Sequence, residues 1–89
     1  MLLQIGQIVY SKAGRDRGEA FVVVDVDGEF AYIVNGTSRP LARAKKKKAR
    51  HIQPTNHTDE ALAAKLGSRA YINDAQIVKT LQAYDQHKA

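Results

Sequence analysis

Ala20-Phe21-Val22-Val23-Val24-Asp25-Val26-Asp27-Gly28-Glu29-Phe30-Ala31-Tyr32-Ile33-Val34-Asn35-Gly36 is the stretch on which the fold turns. Ala20 to Val26 is a β-branched run, long enough for a strand buried on both faces. Asp27-Gly28 is a tight hairpin signal. Phe30 to Val34 then reads as a second strand, with Phe30, Tyr32 and Val34 on one face and Ala31 and Ile33 on the other. Asn35-Gly36 is a second turn dipeptide.

Upstream, Ile5 to Tyr10 favours a strand with Ile8 and Tyr10 on one face and Val9 on the other. Lys12 to Gly18 has the composition of an exposed loop. Its glycines, Gly14 and Gly18, permit a positive φ or a close backbone approach. Downstream, Pro40-Leu41-Ala42 suggests a short edge strand, since proline cannot donate a ladder hydrogen bond. The run Lys45 to Lys48 follows as a loop, and Ala49 to Gln53 reads as a last short strand with Ile52 inward, stopped by Pro54. Short strands between turn signals suggest a small antiparallel barrel, whose closure removes exposed edges.

After Pro54 the period changes. Thr58 to Leu66 reads as a short helix with Thr58 as N-cap and Gly67 just past its end. Asn73-Asp74-Ala75-Gln76 resembles a capping box, and Ile77, Leu81 and Tyr84 form the stripe of an amphipathic helix. The predicted organisation is a barrel over residues 1–55 and a helical extension over residues 56–89, packed on the barrel to enlarge a thin core.

The chain has 89 residues, no cysteine and a net charge of +5. A disulfide framework and a thiolate zinc site are excluded, and an intracellular, cytoplasmic setting is expected. The N-terminus lacks the basic and apolar regions of a signal peptide. No apolar run approaches the roughly 20 residues that span a bilayer, so a protein free of the membrane is expected. The excess charge is local. Thr37 to His57 carries seven basic residues (Arg39, Arg43, Lys45, Lys46, Lys47, Lys48 and Arg50) and no acid, whereas Thr58 to Ala89 carries four of each sign. A local positive field of this kind points to a polyanion, nucleic acid above all.

Gly14-Arg15-Asp16-Arg17-Gly18 followed by Phe21 to Val26 resembles a KOW motif. The spacing onward to Tyr32-Ile33-Val34-Asn35-Gly36, and then to Lys45-Lys46-Lys47-Lys48-Ala49-Arg50-His51-Ile52-Gln53-Pro54-Thr55, resembles one branch of it. That branch is the fourteenth large-subunit ribosomal protein of the eukaryotic and archaeal type, with the related KOW RNA-binding proteins of some bacteria. The resemblance covers Gly6 to Thr55. Phe21 stands where the general motif, as in elongation factors of the NusG type, has another glycine, which favours the ribosomal branch. The resemblance implies an SH3-like barrel that binds large-subunit ribosomal RNA, beside neighbouring ribosomal proteins. It supplies no reading of the residues after His57.

The residues themselves nominate the contacts. Lys45 to Lys48 with Arg43 and Arg50 repel one another, and would release counterions on meeting phosphates; the alternative is a solubilising loop. Lys12, Arg15 and Arg17 can grip phosphates or stack on a base; the alternative is a charged hairpin loop in which Asp16 pairs locally with an arginine. His51 can stack or hydrogen-bond beside Arg50, or be a half-buried barrel residue. His51, His57 and His87 are not at metal-ligand spacing. The six aromatics mostly alternate with aliphatics inside strands, so core packing is their expected role, with Tyr10 the open case. That argues for recognition of folded RNA through backbone and shape. Asp25, Asp27 and Glu29 flank a turn, and Asp59 and Glu60 start a helix. No nucleophile–base pair, phosphate loop or paired acid is visible, so no enzymatic activity, cofactor or small-molecule substrate is expected. Two rival readings are a protein-interaction module, presenting Leu62, Leu66, Ile77 and Leu81 to a partner, and charge-driven binding to DNA or an anionic membrane.

Overall fold

Adjacent apolar residues of this chain go to opposite faces of one sheet, and both faces are buried. A computed structural model describes residues 3–87. Its strands are β1 (Gln7–Ser11), β2 (Ala20–Asp27), β3 (Phe30–Val34), β4 (Lys45–Lys48) and β5 (Ile52–Thr58), followed by the helices α1 (Glu60–Gly67) and α2 (Asp74–His87). The five strands form one antiparallel sheet in the order β4-β3-β2-β1-β5. Val9, Phe21, Val23, Ala31, Ile33 and Ile52 form the core on one face. Ile8, Val22 and Val34 form the core on the other, with Leu62 of α1 and Ile77 of α2. The sheet therefore curls around its first core, and the helices cover the second. Among the described residues no helix is long and apolar enough to cross a membrane.

The curl has a geometric cause. Strands β4 and β5 are the two edges of the sheet, yet only a single 3₁₀ turn, Ala49–His51, joins them. The four steps from Lys48 to Ile52 span at most about 14 Å of extended chain. The edges of a flat five-stranded sheet lie about 19 Å apart. The sheet must bend to bring its edges within reach, and a bulge in the β2–β3 pairing between Val23 and Asp25 helps it bend. The strand ladder stays open: β4 and β5 are not hydrogen-bonded to each other, where the sequence reading closed a barrel.

Several sequence expectations hold. The β2–β3 hairpin turns at Gly28-Glu29, with Asp27 paired to Phe30. Asn73 and Gln76 form a reciprocal capping box, each accepting the other's backbone N–H at 3.0 Å. Ile77, Leu81 and Tyr84 face the second core.

Others are corrected. Pro40-Leu41-Ala42 is no strand; Leu41–Arg43 is a 3₁₀ turn, because the Leu41 N–H donates to Asp74 Oδ1 at 2.8 Å and not to a neighbouring strand. Lys45–Lys48 is not a loop but the edge strand β4. Pro54 does not stop the last strand, which runs on to Thr58. Strand β5 has one neighbour only, so a missing N–H is tolerated there. The N-cap of α1 is Asp59, whose Oδ1 accepts the Leu62 N–H at 3.0 Å, and Thr58 is the last residue of β5. Helix α1 includes Gly67, and the left-handed residue beyond it is Arg69, with φ of 58°. Strand β2 is buried on both faces only from Phe21 to Val23; past the bulge its residues are exposed.

Two glycines let the helices dock. Gly6 has φ of +88° and lies under α1, where a Cβ would come within 2.8 Å of Ala63 Cβ. Gly36 has φ of +81° and lies under α2, where a Cβ would come within 2.7 Å of the Asp74 carbonyl oxygen. Gly36→Ala therefore meets both backbone strain and a clash with main chain. It should destabilise the protein by about 2 kcal/mol or more, lowering the melting temperature by about 10 °C. Gly67→Ala, in helical backbone with nothing within 4 Å of the new Cβ, should instead stabilise it by about 0.5 kcal/mol. Thermal unfolding followed by circular dichroism checks both signs.

Candidate nucleic-acid interface

Alternation along β4 divides the lysine run into two pairs with different tasks. Strand β4 pairs with β3 so that Lys45 lies opposite Ile33 and Lys47 opposite Ala31. Both lysines thus project from the face of the first core. Lys46 and Lys48 lie opposite Tyr32 and Phe30 and project from the other face.

Asp16 lies at the mouth of the first core. The loop from Lys12 to Gly18 turns on its own backbone: the Arg17 N–H reaches the Gly14 carbonyl at 3.3 Å and the Gly18 N–H reaches Ser11 at 2.9 Å. Gly14 and Gly18 both have positive φ. This turn sends Asp16 inward, to 9% exposure, and leaves Arg15 and Arg17 outside. Lys45 Nζ donates to Asp16 Oδ2 at 3.1 Å, and Lys47 Nζ donates to Asp16 Oδ1 at 3.2 Å and to the Ala13 carbonyl at 2.8 Å. Ser11 Oγ donates to Asp16 Oδ1 at 2.7 Å. Burial alone pushes the Asp16 carboxyl up; the hydrogen bonds from Ser11, Lys45 and Lys47 outweigh it and hold the group at about 2. The acid pairs across the fold with lysines, not locally with an arginine. Lys47, with 8% of its side chain exposed, is engaged inside the protein.

Above this buried cluster the nominated cations converge. Arg15 of the β1–β2 loop and Arg39, Arg43 and Lys45 of the segment before and into β4 line one open cleft of about 420 Å³, together with Asp16 and Glu19. Arg39 is fixed by Asn35, whose Oδ1 accepts the N–H groups of Thr37 and Arg39 at 3.0 and 2.8 Å. The Asn35 N–H in turn donates to the Arg39 carbonyl at 2.9 Å. Arg43 ends the 3₁₀ turn, its N–H on the Pro40 carbonyl at 2.9 Å. Four cations against two carboxylates leave the cleft positive. Three of the four are arginines, whose planar fork suits phosphate. Ser38, on the same cleft, was not among the residues the sequence nominated; a lone serine in a turn carries no signal until the turn is placed.

The remaining cations lie elsewhere. Lys46 Nζ sits 4.5 Å from the centre of the Phe30 ring, and Lys48 lies 3.8 Å from Glu29, both groups well exposed. Arg50 is exposed in the turn between β4 and β5. Lys12 is exposed, and its N–H donates to the carbonyl of the half-buried His51 at 2.8 Å. Arg17 Nε donates to the Lys12 carbonyl at 3.2 Å. Among the described residues, no three His, Cys, Asp or Glu side chains gather to hold a metal ion. The sequence matches no family model and has no significant similarity to a curated protein.

The ion cluster ties stability to pH. Asp16 has a folded pKa of about 2 against an ordinary 3.8. Its stabilisation is complete above the unfolded value and is lost as pH falls from about 4 through about 2, an expected loss of about 2 kcal/mol. Asp59, whose burial is outweighed by hydrogen bonds from Thr80 and the Leu62 backbone, is also lowered and acts in the same direction. Asp16→Asn should cost about 3 kcal/mol at neutral pH, because Lys47 stays buried without its anion. It should also flatten the acid limb of the stability profile. Urea unfolding across that pH range measures both.

Proposed function

We propose that this protein binds RNA, with large-subunit ribosomal RNA as its target, and that its curled sheet is an SH3-like barrel of the KOW type. The observation that carries the proposal is the cleft in which Arg15 of the β1–β2 loop and Arg39, Arg43 and Lys45 of the segment leading into β4 face one open space. Phosphate is the ligand that such a cluster suits: each contact releases counterions, and arginine offers paired N–H groups. Lys47 contributes indirectly, holding Asp16 and thereby the loop that carries Arg15. Lys46, Lys48, Arg50, Lys12 and Arg17 extend the positive surface beyond the cleft. In this reading the protein is a cytoplasmic, ribosome-associated component of translation with no catalytic role.

The main rival is weakened by one fact. A partner surface built on Leu62, Leu66, Ile77 and Leu81 needs them exposed. Leu62 and Ile77 are 4% and 0% exposed, and Leu66 and Leu81 pack beside them in the second core.

Binding to a ribosomal RNA fragment, titrated at several salt concentrations, should give a log–log slope of about −3 if four phosphates are met. Arg43→Glu and Arg15→Glu, both at exposed positions, should each weaken binding and reduce the slope by about 1, leaving the melting temperature unchanged. Unchanged affinity and slope in both variants would refute the cleft as the phosphate site. The tagged protein should also sediment with the large ribosomal subunit and remain there in high salt. If it stays at the top of the gradient at both low and high salt, the ribosomal assignment fails.

A further inference from the structure

One aromatic ring departs from the core role that the sequence suggests. Tyr71, in the connection between α1 and α2, is 83% exposed. Among the described residues no other ring and no cation is stacked on it. Its neighbour Ile72 packs against the second core, and the Asn73–Gln76 capping box follows at once. On the other side α1 closes with the Arg69 N–H on the Leu66 carbonyl at 3.3 Å and the Ala70 N–H on the Lys65 carbonyl at 2.9 Å. The ring is therefore carried on backbone that is hydrogen-bonded before it and anchored after it.

The closure of α1 places an arginine where glycine is the usual residue. Arg69 takes left-handed backbone, with φ of 58°, at the position past the helix end that glycine fills without strain. From Ala61 to Asn73 the chain carries two charged residues, Lys65 and Arg69, and no acid. Both are exposed, and among the described residues neither is held in an ion pair. The connection is also tied to the basic cleft. The Leu41 N–H donates to Asp74 Oδ1 at 2.8 Å, and Leu41 opens the 3₁₀ turn that ends at the cleft's Arg43. Tyr71 precedes Asp74 by three residues, at most about 11 Å of extended chain. A strand with a phosphate at Arg43 has Tyr71 within a few nucleotides.

We propose that Tyr71 stacks on an unpaired base of the bound RNA, with Arg69 and Lys65 on the phosphates beside that base. The chemistry fits that occupant: an open ring takes a base of any kind, and adjacent cations take the backbone. A protein partner would need the ring surrounded by further packed contacts, and its neighbours Gly67, Ser68 and Ala70 are small and exposed. The arginine at a left-handed position fits the same role, since strained backbone concentrates at functional sites. The proposal rests on the RNA reading above and adds to it a contact with a base, where the cleft offers contacts with phosphate alone.

The test titrates a short oligouridine and an abasic chain of equal length and phosphate count, by fluorescence anisotropy at several salt concentrations. Oligouridine should bind about tenfold more tightly, the effect of one stacked base. Tyr71→Ala should remove that advantage and leave the abasic chain's affinity unchanged; Tyr71→Trp should keep it. Neither variant should lower the melting temperature, because the ring is exposed. Arg69→Gly suits the left-handed backbone and should raise the melting temperature, yet weaken both chains equally and reduce the salt slope by about 0.7. Equal binding of the two chains overturns the stacking site and leaves the phosphate cleft standing. An oligouridine advantage that survives Tyr71→Ala also overturns it, because the base then stacks elsewhere. Unchanged affinity and slope in Arg69→Gly overturns the phosphate half of the site. If neither chain nor the ribosomal RNA fragment binds even at low salt, the RNA reading falls and this site with it.

Discussion

Three residues, Ala49 to His51, join the two edges of the sheet, and much of the molecule follows from that short connection. It bends the sheet, and bending gives the chain a first core between the ends of its own strands. The same bend brings the β1–β2 loop over β4, although β2 and β3 lie between β1 and β4 in the sheet. Asp16 can then meet Lys45 and Lys47. Where no ladder joins the edges, the ion pairs of Asp16 with Lys45 and Lys47 tie the β1–β2 loop to β4 across the bend. The convex face is left apolar at Ile8, Val22 and Val34, so the helices serve as the second wall of a small domain whose single face would bury too little.

The ion cluster shows how one run of like charge serves two purposes. Four adjacent lysines would repel in a loop. In a strand, alternate ones diverge, and a single buried carboxylate offsets the inward pair. Taking these charges out of water is costly. The Ser11 hydroxyl and the Ala13 carbonyl supply further polar partners, and among the described residues no buried side-chain nitrogen or oxygen lacks a hydrogen-bond partner. Asp59 plays the matching role on the other side of the sheet. Its Oδ1 caps α1, its Oδ2 accepts from Thr80 of α2 at 2.7 Å, and its N–H reaches the Gly6 carbonyl.

Much of the fold is legible in the sequence because period-2 alternation and turn dipeptides are local signals. The β2–β3 hairpin, the Asn73–Gln76 capping box and the α2 stripe are all of that kind. The lysine strand is not. Lysine is depleted in strands, and Lys45–Lys48 has no apolar alternation; its role depends on register against Ala31 and Ile33, which only the paired sheet provides. Pro40 to Ala42 misleads for a similar reason, since the group that claims the Leu41 N–H is Asp74, 33 residues away. Thr58 and Asp59 are both good caps by residue type, and β5 decides between them by claiming Thr58. Of the site, Arg15, Arg39, Arg43 and Lys45 are visible as charge, but their meeting in one cleft is tertiary.

The charges of the cleft pose a last problem of balance. Arg15, Arg39, Arg43 and Lys45 are gathered around one space, and gathering like charges opposes folding. Asp16 and Glu19 reduce that cost by different means. Asp16 is buried beneath the cleft and holds Lys45 by an ion pair, so it offsets charge without occupying the opening. Glu19 lines the same cleft but is exposed, and solvent screens it. The result is a surface that stays positive toward a ligand while its repulsion is relieved from below.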